Sequence, residues 1–226
     1  MWSMMYSVDL STFSLEEFEE LLLTIHLLPS QRIILKDLSL NMQKLKNKGL
    51  KNLQDVHDLL RNKNDHPAIS EETGIDETYL LVLNRMVNSY IVKVLPLEKL
   101  TVFTKEELGR LAEKGLKNTK HYYEAMLTQA QREIVSGKLD IPLNRLEYAL
   151  HITDLLRING VGVEYAKILH EMGIQSVQDY NRTPSETILT SFNELNRQKE
   201  YTKATLGISD IEYCRRFSKK LDHYIR

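Results

Sequence analysis

The pentapeptide KGLKN occurs twice, at Lys48–Asn52 and at Lys114–Asn118, 66 residues apart. Self-similarity at a fixed offset constrains a fold more than any single motif, because each copy must suit the same local structure. A third stretch, MGIQS at Met172–Ser176, follows the pattern more loosely. In all three a leucine stands four residues before a glycine: Leu45 before Gly49, Leu111 before Gly115, Leu169 before Gly173. Such a glycine reads as the left-handed residue that ends a helix, since it lacks the Cβ that obstructs that conformation. An aliphatic residue comes next, then Asn52, Asn118 or Ser176, each a good N-cap for a following helix.

A second landmark keeps the same interval. TGIDETYLLVLNRMVNSY starts at Thr73, LDIPLNRLEYALHITDLL at Leu139 and LGISDIEYCRRFSKKLDHY at Leu206, and Leu139 again lies 66 residues after Thr73. Ile75, Ile141 and Ile208 each precede an amphipathic run; Asp76 and Ser209 read as its N-caps, and Pro142 as a first-turn residue. Near the start, SLEEFEELLLTIHLL offers a Ser14/Glu17 capping box, with Leu15, Phe18, Leu22 and Ile25 on one face. Glycine and proline number only 9 and 5, and strand-like alternation is nearly confined to MMYSVDL. The expectation is an all-α fold of three tandem multi-helix units, with room for a short extended N-terminal arm. Residues 1–95 would hold the acidic N-terminal helix and first repeat, residues 96–226 the second and third. The seam falls in VKVLPLEKL (Val92–Leu100), where Pro96 ends a helix.

The third copy carries an added feature, RINGVGVEYAKIL at Arg157–Leu169. Gly160 and Gly162 permit a tight turn, Val161 plugs it, and small Ala166 allows close helix packing. Amides at the next helix N-terminus would point outward, where the helix dipole also favours an anion. Gly160, Val161, Gly162, Lys167 and Arg157 are therefore candidate phosphate-binding residues. The same geometry also serves as a plain structural link. Glu164 sets a negative charge beside the turn, and the corresponding turns KDLSL and VFTKEE lack both glycines. The C-terminal run offers Arg215, Arg216, Lys219 and Lys220 at helical spacing. They read either as a basic stripe or as the solvated face of a helix whose Tyr213, Phe217, Leu221 and Tyr224 face the core.

The stretch from Leu150 to Gln198 resembles a bacterial domain-of-unknown-function family, family 4332, of helix-hairpin-helix, SAM-like units. The matching residues are Asp154, Leu155, Arg157, Ile158, Gly160, Val161, Gly162, Tyr165, Ala166, Gly173, Ile174, Ser176 and Val177, with NRTPSETILTSFNELN after them. The resemblance is specific from about Leu139 onward and weaker over the earlier copies. It implies three tandem SAM-like units and a helix-hairpin-helix motif at residues 155–173, and it brings no catalytic residues.

Composition narrows the function. A net charge of −1 gives no global attraction to nucleic acid, although KLKNKGLK (Lys44–Lys51) and CRRFSKKLDHYIR (Cys214–Arg226) are basic. The single cysteine, Cys214, excludes an internal disulfide and a thiolate metal cluster. LLLTIHLL is too short to span a bilayer and follows acids rather than a basic segment, so a cytoplasmic chain with no membrane partner is expected. GVGVEY lacks the third glycine of a dinucleotide fingerprint, and His170–Glu171 has Ile174 where a metalloprotease helix needs histidine. The histidines show no metal-ligand spacing. No enzyme activity, cofactor or metal is expected. Two functions remain: non-specific binding of DNA or RNA backbone phosphates, or a protein-interaction scaffold or homo-oligomerising module.

Overall fold

The structure, a computed structural model, describes residues 5–25, 27–203 and 205–226. These residues are all-α: helices linked by turns and short 3-10 segments, with two isolated β-bridges and no strand among the described residues. None of the described helices is long and apolar enough to cross a membrane.

The chain divides into two bodies. One is Asp9–Ile91, with α1 (Leu15–Thr24), α2 (Leu38–Asn47), α3 (Leu53–Leu60), α4 (His66–Thr73) and α5 (Glu77–Ser89). Ser14 caps α1 through the reciprocal bonds with Glu17 that its sequence promises. Leu15, Phe18 and Leu22 of α1 are buried, as are Leu45 of α2, Val56 and Leu60 of α3, and Leu80 and Leu83 of α5. Each such side chain contributes roughly 1.5–3 kcal/mol by leaving water. The other body is Val92–Arg226 together with the described residues ahead of Asp9. It holds α6 (Lys105–Glu113), α7 (Thr119–Ala125), α8 (Gln129–Leu139), α9 (Leu143–Leu155), α10 (Val163–Glu171), α11 (Val177–Arg182), α12 (Ser185–Lys199) and α13 (Ile208–Ser218).

The glycines that end α2, α6 and α10 are all left-handed, with φ of +96° at Gly49, +80° at Gly115 and +81° at Gly173. After each, the amide of Leu50, Leu116 or Ile174 donates back to the carbonyl of Leu45, Leu111 or Leu169, at 3.2, 3.0 and 2.9 Å. These bonds satisfy carbonyls that a helix end would otherwise leave orphaned. Asn52, Asn118 and Ser176 then cap α3, α7 and α11 by accepting from the amide three residues on. The first amide of each capped helix shows where the copies diverge. Leu53 donates to the Phe13 carbonyl at 3.0 Å and Thr119 to the Leu95 carbonyl at 2.8 Å. Val177 donates instead to the Asp154 carboxylate, at 2.8 Å.

The second landmark is partly shifted. Ser70 and Ser136 donate to the carbonyls of Ile75 and Ile141, at 2.6 and 2.7 Å, and Asp76 caps α5. The last helix begins two residues earlier than its sequence suggests. Gly207 is the N-cap of α13, its amide donating to Asp210 at 2.8 Å, so Ser209 lies inside the first turn.

Of the stretch MMYSVDL, Met4 lies outside the described residues, and Met5–Ser7 form a turn and bends rather than a strand. The segment is docked all the same. Tyr6 is fully buried against Tyr123, ring centroids 5.7 Å apart, which is why residues 5–8 belong with Val92–Arg226 and not with Asp9–Ile91.

Candidate functional site

The turn between α9 and α10 is built around two glycines with different duties. Gly160 adopts φ +94°, and a Cβ there would lie 2.7 Å from the Cys214 sulfur of α13. Only glycine satisfies both the dihedral and the contact. Gly162 has ordinary extended geometry, φ −92° and ψ 174°, and a Cβ there would meet nothing within 4 Å. Between them Val161 is buried, and its amide closes the turn on the Ile158 carbonyl at 3.0 Å. Both glycines are exposed. Gly162 is the N-cap of α10 and supplies no side-chain oxygen to the first-turn amides that follow.

The cations assigned to this turn are distributed differently from their order in the sequence. Arg157 is 1% exposed and is a core residue. Its guanidinium donates to the Tyr6 carbonyl (3.2 Å), the Tyr123 hydroxyl (2.6 Å), the Asp222 carbonyl (2.8 Å) and the Asp154 carboxylate. With four of its five N–H groups engaged in the interior, it cannot reach an external phosphate. This corrects its placement among the phosphate ligands. Asp154, wholly buried, in turn holds the Val177 amide, so the Asp154–Arg157 pair joins the N-terminal segment, α7, α9 and α11.

Arg215 is also withdrawn, at 8% exposed. It donates to the carbonyls of Tyr180, Asn181 and Thr183 at 2.7–3.0 Å and to the Ser185 hydroxyl, neutralising the carbonyl end of α11. It is therefore no part of a surface stripe. Arg216 is exposed on α13, whose Tyr213 hydroxyl donates to Asn159 beside the turn at 3.1 Å; exposed Lys219 and half-buried Lys220 follow the end of that helix. Lys167 turns the other way. Its ammonium donates to Thr101 at 2.9 Å and to Glu164 at 3.1 Å, on the wall of a separate cleft.

That cleft, about 890 Å³, lies among the turn at Leu100–Val102 and helices α9 and α10. Arg145, Glu147, Tyr148, His151, Lys167 and His170 line it. His151 and His170 meet nitrogen to nitrogen, Nδ1 to Nε2, at 3.2 Å. Tyr148 packs edge-on against the His170 ring, centroids 4.7 Å apart. Burial lowers the proton affinity of both imidazoles, and for His151 the neighbouring His170 lowers it further. The pair escapes sequence reading because 19 residues separate its members and each stands alone on its own helix.

A family model described as Domain of unknown function (DUF4332) matches residues 101–220, and the chain belongs to that family. The match spans the glycine turn, both histidines of the cleft and all of α13. No curated protein and no solved structure matches the chain.

Proposed function

We propose that this chain is a non-catalytic, cytoplasmic module of three tandem SAM-like units that holds nucleic-acid backbone through its one glycine hairpin. The observation that carries the reading is the pairing of an exposed Gly160–Gly162 turn with an α10 whose N-cap residue is a glycine and supplies no capping side chain. Oriented amides and the helix dipole together suit a phosphate oxygen, and such contacts give affinity without base readout. The cationic share falls to Arg216 and Lys220. Arg216 stands one helical turn after Tyr213 on α13, Lys220 lies in the turn that follows the helix, and Tyr213 touches the glycine turn. Arg157, Arg215 and Lys167 take no part.

The test is a salt-resolved anisotropy titration with labelled duplex and single-stranded DNA and RNA. Sequence-independent dissociation constants on the order of 10⁻⁴ to 10⁻⁶ M, weakening steeply with salt, are expected. Gly162→Asp is the informative variant, because the site has room for the side chain. Aspartate is a good N-cap, so stability should hold or rise by a few tenths of a kcal/mol while its carboxylate covers the amides. Binding that Gly162→Asp and the Arg216→Glu/Lys220→Glu pair both leave unchanged overturns the proposal.

A scaffold role is favoured by a different observation. Leu23, Leu28, Leu35 and Leu40 are 68%, 57%, 42% and 56% exposed, all within residues 23–40 of the body Asp9–Ile91. Light scattering across concentration checks it: self-association lost in Leu23→Glu and Leu40→Glu supports a homo-oligomeric module.

A further inference from the structure

Two imidazoles facing one another in an open cleft present the donor set of a transition-metal site. The 3.2 Å between His151 Nδ1 and His170 Nε2 is the relevant distance. Nitrogens bound to a metal at about 2.0–2.1 Å sit roughly 2.9 Å apart at a right angle and roughly 3.3 Å apart at the tetrahedral angle. The observed spacing lies within that interval; the ion would lie off the line between the nitrogens, so both rings turn towards it when the shared proton leaves.

Two carboxylates stand near the pair: Glu147 lines the cleft one helical turn before His151, and Glu171, ion-paired with Lys199 at 2.9 Å, follows His170 directly. Among the described residues no third histidine, cysteine or carboxylate joins the pair closely enough to form a complete protein cage. The remaining coordination positions thus fall to solvent and to whatever enters the cleft, where Arg145 and Lys167 also stand. Imidazole nitrogen suits the late first-row metals, whose affinities rise to copper and then fall at zinc.

We propose that His151 and His170 form a two-histidine site for a divalent late transition metal (Ni²⁺, Cu²⁺ or Zn²⁺) with its open positions facing the cleft. The site is independent of the glycine turn, so neither reading stands or falls with the other.

The experiment is calorimetric titration of the full chain, stripped with chelator, with Zn²⁺, Ni²⁺ and Cu²⁺ in turn. One ion per chain is expected, bound most tightly for Cu²⁺, with an electron paramagnetic resonance spectrum showing two equatorial imidazole nitrogens. His151→Gln and His170→Gln should each weaken uptake by at least about tenfold. Glu147→Gln keeps both ligands and the fold and should weaken it less. Circular dichroism confirms that the variants fold; should either histidine variant not, the nitrogen count in the wild-type copper spectrum decides. No saturable uptake by the wild-type chain overturns the proposal. So does uptake that survives both histidine substitutions, or a copper spectrum with fewer than two imidazole nitrogens.

Discussion

Removing the Arg157 guanidinium would strand the Asp154 carboxylate in the core and open the bonds to Tyr6, Tyr123 and Asp222 at one stroke. Breaking a buried pair from one side costs about 3–5 kcal/mol. Arg157→Met should therefore lower the urea midpoint sharply, and Asp154→Asn/Arg157→Met should cost less than the sum of its two single changes. The run LLRING advertises an arginine between apolar residues, yet nothing local says which way it points. Its partners stand 151 residues earlier and 65 later, beyond the reach of any periodicity argument. Cys214 makes a second case at this scale. Burial pushes its thiol up to about 11, from an ordinary value of 9.0. A raised folded-state value favours the protonated form, so its contribution is whole below pH 9 and lost as pH climbs from 9 towards 11. Iodoacetamide should modify Cys214 far more slowly at pH 8 than it modifies the unfolded chain. Thermal melts should show a shallower alkaline decline in Cys214→Ala than in wild type.

Helix ends were the legible elements, and for a physical reason: a cap is decided by four or five consecutive residues. Gly49, Gly115 and Gly173 fall where the leucine spacing puts them, and Asn52, Asn118 and Ser176 cap the helices they precede. The glycine turn shows where local reading stops. Sequence gives Gly160 and Gly162 the same standing, whereas α13, arriving from 54 residues away, separates them by filling the space beside Gly160 alone. Gly160→Ala should cost about 1–2 kcal/mol for the left-handed backbone and more for the Cys214 contact; Cys214→Ala on the same chain should return the second part only. Gly162→Ala should cost well under 1 kcal/mol, since its dihedrals suit any residue. Urea melts of the three variants check both statements. The same distance from local sequence hid the histidine cleft, which exists only once α9 and α10 are packed.

For the whole molecule, the division into Asp9–Ile91 and Val92–Arg226 follows the Pro96 neighbourhood, but the residues before Asp9 join the later body. Tyr6→Ala should destabilise that body by about 3–5 kcal/mol, the usual cost of truncating a buried aromatic. Hydrogen exchange read by mass spectrometry should show lost protection around Tyr123, Asp154 and Arg157, with residues 9–91 unaffected. Protection lost chiefly in residues 9–91 would contradict the assignment of Tyr6. During translation, Tyr6 leaves the ribosome long before Arg157 and Asp222 exist. A complete five-helix body is made in the interval, while the tyrosine's seat is still missing. Closing a loop of that length carries a large entropic cost and comes late, so a segment made before the five-helix body is among the last to reach its place.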